Sequence, residues 1–213
     1  GSKMENLIAV LQKKSTELNL FSAGDRLKLA DKHIPDALAV LDFWEPGARV
    51  ADIGTGGGLP GLALACERSD LEFTLVDSTA KKIEAIMDMA EELDLQNVQG
   101  LVGRFEELAH ERKWREQFDT VTARAVAELP VLLEYVAGFL KVGGKFYAWK
   151  ADYAAELEAS RAAQDILGLE FVRAHKYTLP TGEDRAILEF EKVAALAREY
   201  PRMNGVPKAK PLA

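Results

Sequence analysis

The sequence predicts an α/β fold: a mostly parallel seven-stranded sheet with an antiparallel edge pair, helices on both faces and an N-terminal helical extension. Three observations predict it. Short apolar runs alternate with helical stretches from Arg49 to Trp149, a glycine-rich turn follows the first of these runs, and the last two runs stand too close together for a crossover helix.

Residues up to about Phe43 read as helical, because Leu7, Val10, Leu11, Leu18, Leu38 and Leu41 recur at helical spacing, and Glu45-Pro46-Gly47 breaks the pattern. Strands follow at Arg49–Ile53, Glu72–Val76 (ending at Asp77), Val98–Val102, Asp119–Ala123 and Lys145–Trp149. The intervening helices are expected at Gly61–Arg68, Lys81–Leu93, Glu106–Glu116 and Leu129–Leu140, the last closed by Val142-Gly143-Gly144. A helix over Tyr153–Leu167 leads to two strands, Leu169–Tyr177 and Arg185–Glu191. The six residues Leu179–Asp184 between them force antiparallel pairing. One overall domain is expected: an extension over 1–45, a ligand-binding body over 46–192 and a basic tail over 193–213.

The 213 residues carry a formal charge of -7, with 27 Lys+Arg against 34 Asp+Glu. That balance argues against a generic nucleic-acid binder. The acids nearly vanish after Lys192, however, where Arg198, Arg202, Lys208 and Lys210 stand among prolines and glycine. Such a tail can track a polyanion or simply be solvated. The apolar runs are too short to span a bilayer, and the opening residues lack the pattern of a signal peptide. One cysteine, Cys66, excludes an internal disulfide, and three scattered histidines give no metal-ligand spacing. A reduced, cytoplasmic setting, no membrane, no metal and a monomer are the expectations.

The turn after the first strand runs Asp52-Ile53-Gly54-Thr55-Gly56-Gly57-Gly58-Leu59-Pro60-Gly61. Clustered glycines let the chain turn sharply and let a ligand approach the backbone. The last six residues fit the dinucleotide fingerprint G-x-G-x-x-G, with Asp77 placed to take a ribose, which would make the chain an NAD-dependent oxidoreductase. The whole loop also fits D-x-G-x-G-x-G, the pattern of an S-adenosyl-methionine site. Asp52 at the strand end favours the second reading, since a carboxylate suits a sulfonium and an ammonium and repels pyrophosphate. A non-catalytic nucleotide-binding module is the third possibility.

Ligands of such sheets bind at the carboxyl ends of the strands. Asp52, Gly54, Gly56, Gly58, Asp77 and Ser78 are therefore candidate cofactor contacts. Phe105 and Glu106 after the third strand are expected beside an adenine, and Arg124 after the fourth at the reacting centre. Glu106 reads equally well as an acid at a helix start. His33, Lys150, Arg202 and Lys208 are candidate contacts to substrate, although His33 and Lys150 also read as packing or capping residues, and the three tryptophans as core or rim.

Together these residues resemble one family, the bacterial small-subunit ribosomal RNA guanine-N7 methyltransferases, also called glucose-inhibited division protein B. The resemblance runs from Asn19-Leu20 almost to the C-terminus. It is carried by His33-Ile34-Pro35-Asp36, the loop Asp52–Gly61, Thr74-Leu75-Val76-Asp77-Ser78 and Phe118-Asp119-Thr120-Val121-Thr122-Ala123-Arg124-Ala125. Lys150, Tyr200-Pro201-Arg202, Gly205, Pro207, Lys208 and Pro211-Leu212 complete it. One position departs: Ala37 stands where a serine is usual. The resemblance implies a Rossmann-like class I methyltransferase fold, S-adenosyl-L-methionine as cofactor, cofactor contacts at Gly54, Leu59, Phe105, Glu106 and Arg124, and a guanosine of 16S ribosomal RNA in the small ribosomal subunit as substrate, methylated at N7. N7 carries a lone pair and no proton, so no general base is needed. Arg124 is then expected to position a ligand rather than to abstract a proton.

Overall fold

The structure is a computed structural model that describes residues 2–213. The chain opens with α1 (Lys3–Leu18), whose N-cap Ser2 accepts from the Glu5 amide and whose end turns left-handed at Asn19. Short α2 (Ala23–Leu27), a wide π-type turn (Leu29–His33), α3 (Ile34–Ala37) and a tight turn (Leu38–Val40) follow. The extension is thus helical as the apolar spacing predicts, but in short, bent pieces.

From there the chain alternates: β1 (Arg49–Ile53), α4 (Gly61–Glu67), β2 (Glu72–Asp77), α5 (Ala80–Glu92), β3 (Val98–Val102), α6 (Phe105–Leu108), β4 (Phe118–Arg124), α7 (Leu129–Ala137) and β5 (Leu140–Lys150). It continues through α8 (Ala154–Ala159), α9 (Arg161–Leu167), β6 (Leu169–Thr178), β7 (Asp184–Lys192) and α10 (Val206–Ala209). The seven strands lie in the order β3-β2-β1-β4-β5-β7-β6. β1 to β5 are parallel neighbours, and β7 runs against both β5 and β6. The antiparallel pair is therefore at one edge, as expected, with a single reversed strand, β7, between two that share one direction.

Each sheet face has its own core. On one, Leu7, Leu11, Leu62, Leu64, Ile86 and Met89 bring α1, α4 and α5 together; on the other, Phe118, Leu132, Val136, Phe146 and Phe190 pack beneath α7 and α9. Strands covered on both faces need continuous apolar runs, which is why β1 and β2 were legible without alternation. The amphipathic spacing of Ile83, Ile86 and Ala90 seats α5 on the sheet.

Four expected elements differ. The helix expected over 106–116 is only the single turn of α6. Beyond it the chain bends so that Arg115 reaches carbonyls of the C-terminal segment and Glu116, in the left-handed region, donates its amide to Gly138. α7 stops at Ala137, and Val142-Gly143-Gly144 belongs to β5, where the pairing with β4 shifts between Phe118 and Thr120. The helix over 153–167 is two, parted at buried Ser160, whose hydroxyl turns back to the Leu157 carbonyl at 2.7 Å. Finally, the segment after Lys192 is folded onto the body, with Leu196, Pro201, Pro207 and Leu212 buried.

Candidate functional site

The carboxyl end of β1 delivers the chain into the glycine loop, and Asp52 organises it from below. The carboxylate is almost completely buried, at 1% exposure. Oδ2 accepts from the Thr55 hydroxyl at 2.8 Å and the Gly61 amide at 3.0 Å, and Oδ1 accepts from the Thr122 hydroxyl at 2.9 Å. One side chain thereby ties both ends of the loop to β4. Burial pushes its carboxyl up to about 6, against the opposing pull of those three hydrogen bonds. Where the sequence suggested a contact between Asp52 and a ligand, both carboxylate oxygens bond the loop and β4.

Three glycines of the loop have positive φ: Gly54 (+68°), Gly56 (+56°) and Gly58 (+100°). They differ in surroundings. A Cβ on Gly54 would strike Val126 at 2.6 Å and one on Gly58 would strike Leu62 at 2.5 Å, so both are also close-packed. A Cβ on Gly56 would meet nothing nearer than 3.9 Å. Gly56 is thus where the backbone is bare toward open space, and its amide donates to Asp77 Oδ2 at 3.0 Å. Asp77 Oδ1 accepts from the Thr79 amide at 3.0 Å. Each carboxylate oxygen keeps a further lone pair, enough for the two hydroxyls of a ribose. Ser78 is exposed beside it, and the Leu59 side chain is buried in the core, so only its backbone faces the loop.

Phe21 was not anticipated. Ser15 pins it twice, its hydroxyl donating to the Phe21 carbonyl (3.1 Å) and accepting from the Phe21 amide (2.9 Å). The ring lies over Gly57, where a Cβ would come within 2.6 Å of it. The extension therefore covers one side of the loop.

At the end of β4, Arg124 is turned into that extension. Nε contacts Asp36 Oδ2 at 3.2 Å, Nη1 donates to the His33 carbonyl at 3.4 Å, and Nη2 meets His33 Nδ1. Asp36 also accepts from the Tyr177 hydroxyl, and its carbonyl from Trp149 Nε1 at 2.7 Å. A free guanidinium at the reacting centre is not what the structure holds, because a buried carboxylate needs a charged partner. Of the five N–H groups, two remain uncommitted. His33, read from the sequence as a substrate contact or a packing residue, is buried between Arg124 and Asp25, with Nε2 at 3.1 Å from Asp25 Oδ1.

After β3, Gly103 leads into α6. Phe105 packs against Tyr135, ring centres 5.3 Å apart. Glu106 is buried, its Oε2 accepting from the Gly205 amide at 2.9 Å and from Arg104 at 3.3 Å. Oε1 has no protein partner among the described residues, so it can still accept from a ligand amino group.

Two expected substrate contacts are committed elsewhere. Lys150 Nζ is held by Glu156 Oε1 (2.6 Å) and the Ala127 carbonyl (2.9 Å), and the same Glu156 oxygen caps the Leu129 amide of α7. Arg202 forks onto Glu134, which is fully buried in α7. Lys208 is exposed. The acid Glu134 inside the apolar stretch Leu129–Ala137 was the overlooked signal, since a buried charge announces a partner.

A groove of about 530 Å³ lies elsewhere, at the amino ends of the strands, lined by Lys3, Asn6, Cys66, Ser69 and Asn97. Its thiol is pushed up to about 11 by burial and is no nucleophile at neutral pH. Among the described residues no group of three or more His, Cys, Asp or Glu side chains could hold a metal, and no helix is long and apolar enough to cross a membrane.

Comparison with known proteins agrees with this geometry. Residues 1–204 match the family model described as GidB, rRNA small subunit methyltransferase G. The chain is 41% identical over 198 residues to the ribosomal RNA small subunit methyltransferase G of Desulfitobacterium hafniense (strain Y51), covering 92% of this chain and 82% of that protein. It is 39% identical over 208 residues to the protein of that name from Lactobacillus delbrueckii subsp. bulgaricus, covering 95% and 87%. Among solved structures, M. jannaschii TYW2 in complex with AdoMet superposes with a TM-score of 0.59 at 15% identity, over 81% of this chain and 78% of that one. The precorrin-6y C5,15-methyltransferase of Geobacter metallireducens does so with a TM-score of 0.53 at 15% identity, over 75% and 87%. These likenesses place the sheet among methyltransferase folds, and none of them supports the dinucleotide reading of the loop.

Proposed function

The chain belongs to the rRNA small subunit methyltransferase G family, and from that premise we propose that it transfers a methyl group from S-adenosyl-methionine to N7 of a guanosine in 16S rRNA of the small ribosomal subunit. The observation that carries the reading is the pairing of bare Gly56 with the Asp77 carboxylate 3.0 Å from its amide. A backbone without side chains beside an acceptor with spare lone pairs suits a nucleoside with a charged tail.

When bound, the cofactor supplies an electrophilic methyl on a cationic sulfur. The chain's part is to hold and align. Asp77 accepts the ribose hydroxyls, with Ser78 at its side. Gly54 and Gly58 make the turns of the loop, bare Gly56 leaves room for the ligand, and Asp52 fixes the loop's two ends. Glu106 offers Oε1 to an adenine amino group, with Phe105 beside it. Arg124 supplies its two uncommitted N–H groups to an anionic part of cofactor or RNA, while Asp36 holds the guanidinium in place. Since guanine N7 has a lone pair and no proton, these residues need move no proton; proximity and in-line alignment supply the rate. Lys208, exposed on the surface, contributes a cation for phosphate.

The acidic body disfavours naked RNA, so an assembled subunit is the natural substrate. The test is transfer of tritiated methyl to deproteinised rRNA, to intact small subunits and to subunits already modified, with nuclease mapping of the label. Label at one guanosine of unmodified subunits is expected. Incorporation into none of the three would overturn the substrate, and failure to bind S-adenosyl-methionine in a calorimeter would overturn the cofactor as well.

A further inference from the structure

The segment after Lys192 has the composition of a loose basic tail and the hydrogen bonding of a strap. Arg115 donates to the carbonyls of Leu196 (3.3 Å), Ala197 (3.1 Å) and Tyr200 (2.8 Å). His110 Nε2 lies 2.6 Å from the Pro201 carbonyl. Three acids then take the next residues in turn. Glu134 receives the Arg202 backbone amide (2.7 Å) and its guanidinium (2.8 Å), Glu107 receives Asn204 (2.6 Å), and Glu106 receives the Gly205 amide (2.9 Å). All three acids belong to α6 and α7, the two helices that the Phe105–Tyr135 contact joins.

This pattern has a direction. Glu134 is fully buried and Arg202 is its partner, so the ion pair fixes where the strap lies. Gly205 then turns the chain at φ +81°, a left-handed conformation that aims its N–H at Glu106. Without that donor, the Glu106 carboxylate would keep only Arg104, whose side chain is 52% exposed. A buried acid so weakly held would rotate toward water, and Oε1 would lose its aim.

We propose that the segment Tyr200–Gly205 is a positioning part of the cofactor site, in which Arg202 and Gly205 fix Glu106 and the first turn of α6 against the adenine of the cofactor. The inference rests on reading this pocket as an S-adenosyl-methionine site with Glu106 beside the adenine. It assigns Arg202 an intramolecular task and leaves Arg198, Lys208 and Lys210 as the outward-facing cations.

The test combines variants with a measurement on the unaltered chain. Arg202→Ala, assayed well below its melting temperature, is expected to raise the cofactor KM about tenfold with kcat nearly unchanged, the signature of lost preorganisation. Arg202→Lys keeps the charge without the fork and should recover part of that loss. Asn204→Ala removes one exposed hydrogen bond, too little to unfold the chain, and should raise KM about two- to threefold. Arg198→Ala, at an exposed position outside Tyr200–Gly205, should leave the cofactor KM unchanged. In wild-type protein, saturating S-adenosyl-methionine should slow amide exchange both at 103–108 and at 200–206. Unchanged KM in folded Arg202→Ala and Asn204→Ala, or slowing at 103–108 with none at 200–206, would overturn the proposal alone. A wild-type chain that does not bind the cofactor would overturn the pocket reading and the proposal with it.

Discussion

Arg124 donates from Nη2 to Nδ1 of His33, and because a guanidinium has no acceptor, the imidazole carries its proton on Nε2, facing Asp25. Two segments 91 residues apart are locked by the protonation state of one ring.

That lock has a pH dependence. Burial, then the neighbouring Arg124, hold His33 below the usual histidine value near 6.5. Between the folded and unfolded values the unfolded chain binds a proton that the folded chain refuses. Stability therefore rises with pH through that window and is lost as pH falls below about 6.5. Thermal melts of His33→Gln, which keeps an acceptor for Arg124 but cannot titrate, should show a flatter dependence between pH 5 and 7.5 than the wild type. Equal slopes would mean that the ring opens to solvent before it protonates. Asp36→Ala, which strands Arg124 and Tyr177, should cost about 3 kcal/mol in urea unfolding at pH 7.5.

Asp52 pulls the other way. Its carboxyl, raised by burial to about 6, stays protonated in the folded chain where the unfolded chain, near 3.8, has released the proton. Raising the pH from about 4 to 6 should thus remove up to about 3 kcal/mol of its contribution. Asp52→Asn should abolish this slope and keep the loop, since its carbonyl can accept from Thr55 and Gly61 while the Thr122 hydroxyl reverses to accept. Asp52→Ala leaves those donors buried and unpaired, and should lose about 2–4 kcal/mol at pH 7.5. Urea unfolding of the two variants at pH 5 and 8 separates the cases; an Asn variant no better than the Ala variant would show that the charge itself is needed.

Phe21 and Gly57 should behave as one unit. Gly57→Ala places a methyl 2.6 Å from the pinned ring and should destabilise by about 1–3 kcal/mol. In the Phe21→Ala background the added methyl should cost far less. Additive losses in a double-mutant cycle would show that the ring moves freely off the loop.

For the substrate, Lys208→Ala should lower the salt dependence of rRNA binding by about one counterion. Arg202→Ala should leave that slope unchanged, because Glu134 already neutralises its charge. Filter binding across a salt series reads both, and a fall in slope for Arg202→Ala would return that residue to the RNA surface.

The sheet was legible because its strands are apolar runs punctuated by glycine, proline and acids. β1 and β3 have the bounds that the residues suggest, and the glycine loop announced its own position. Long-range pairing was not legible. Nothing local tells that Arg202 seeks Glu134, that Lys150 caps α7 through Glu156, or that the charged run after Leu108 bends to serve Arg115. Single cations in a basic stretch look alike until burial assigns each an acid. Asp52 shows the same limit from the other side: its place in the loop was evident, but whether its oxygens face the ligand or the loop depends on Thr122, 70 residues away.

The contact between Tyr177 and Asp36 joins positions 141 residues apart. Translation delivers Asp36 early and Tyr177 late, and at roughly 5–20 residues per second a growing chain waits on the order of ten seconds between the two. Throughout that interval the loop and β1 to β5 can pair, while the clasp that Asp36 makes with the last hairpin has no second half. The brace that holds Asp36 against Arg124 is therefore completed only once β6 has emerged, so a nascent chain can pair β1 to β5 before Asp36 has both of its partners.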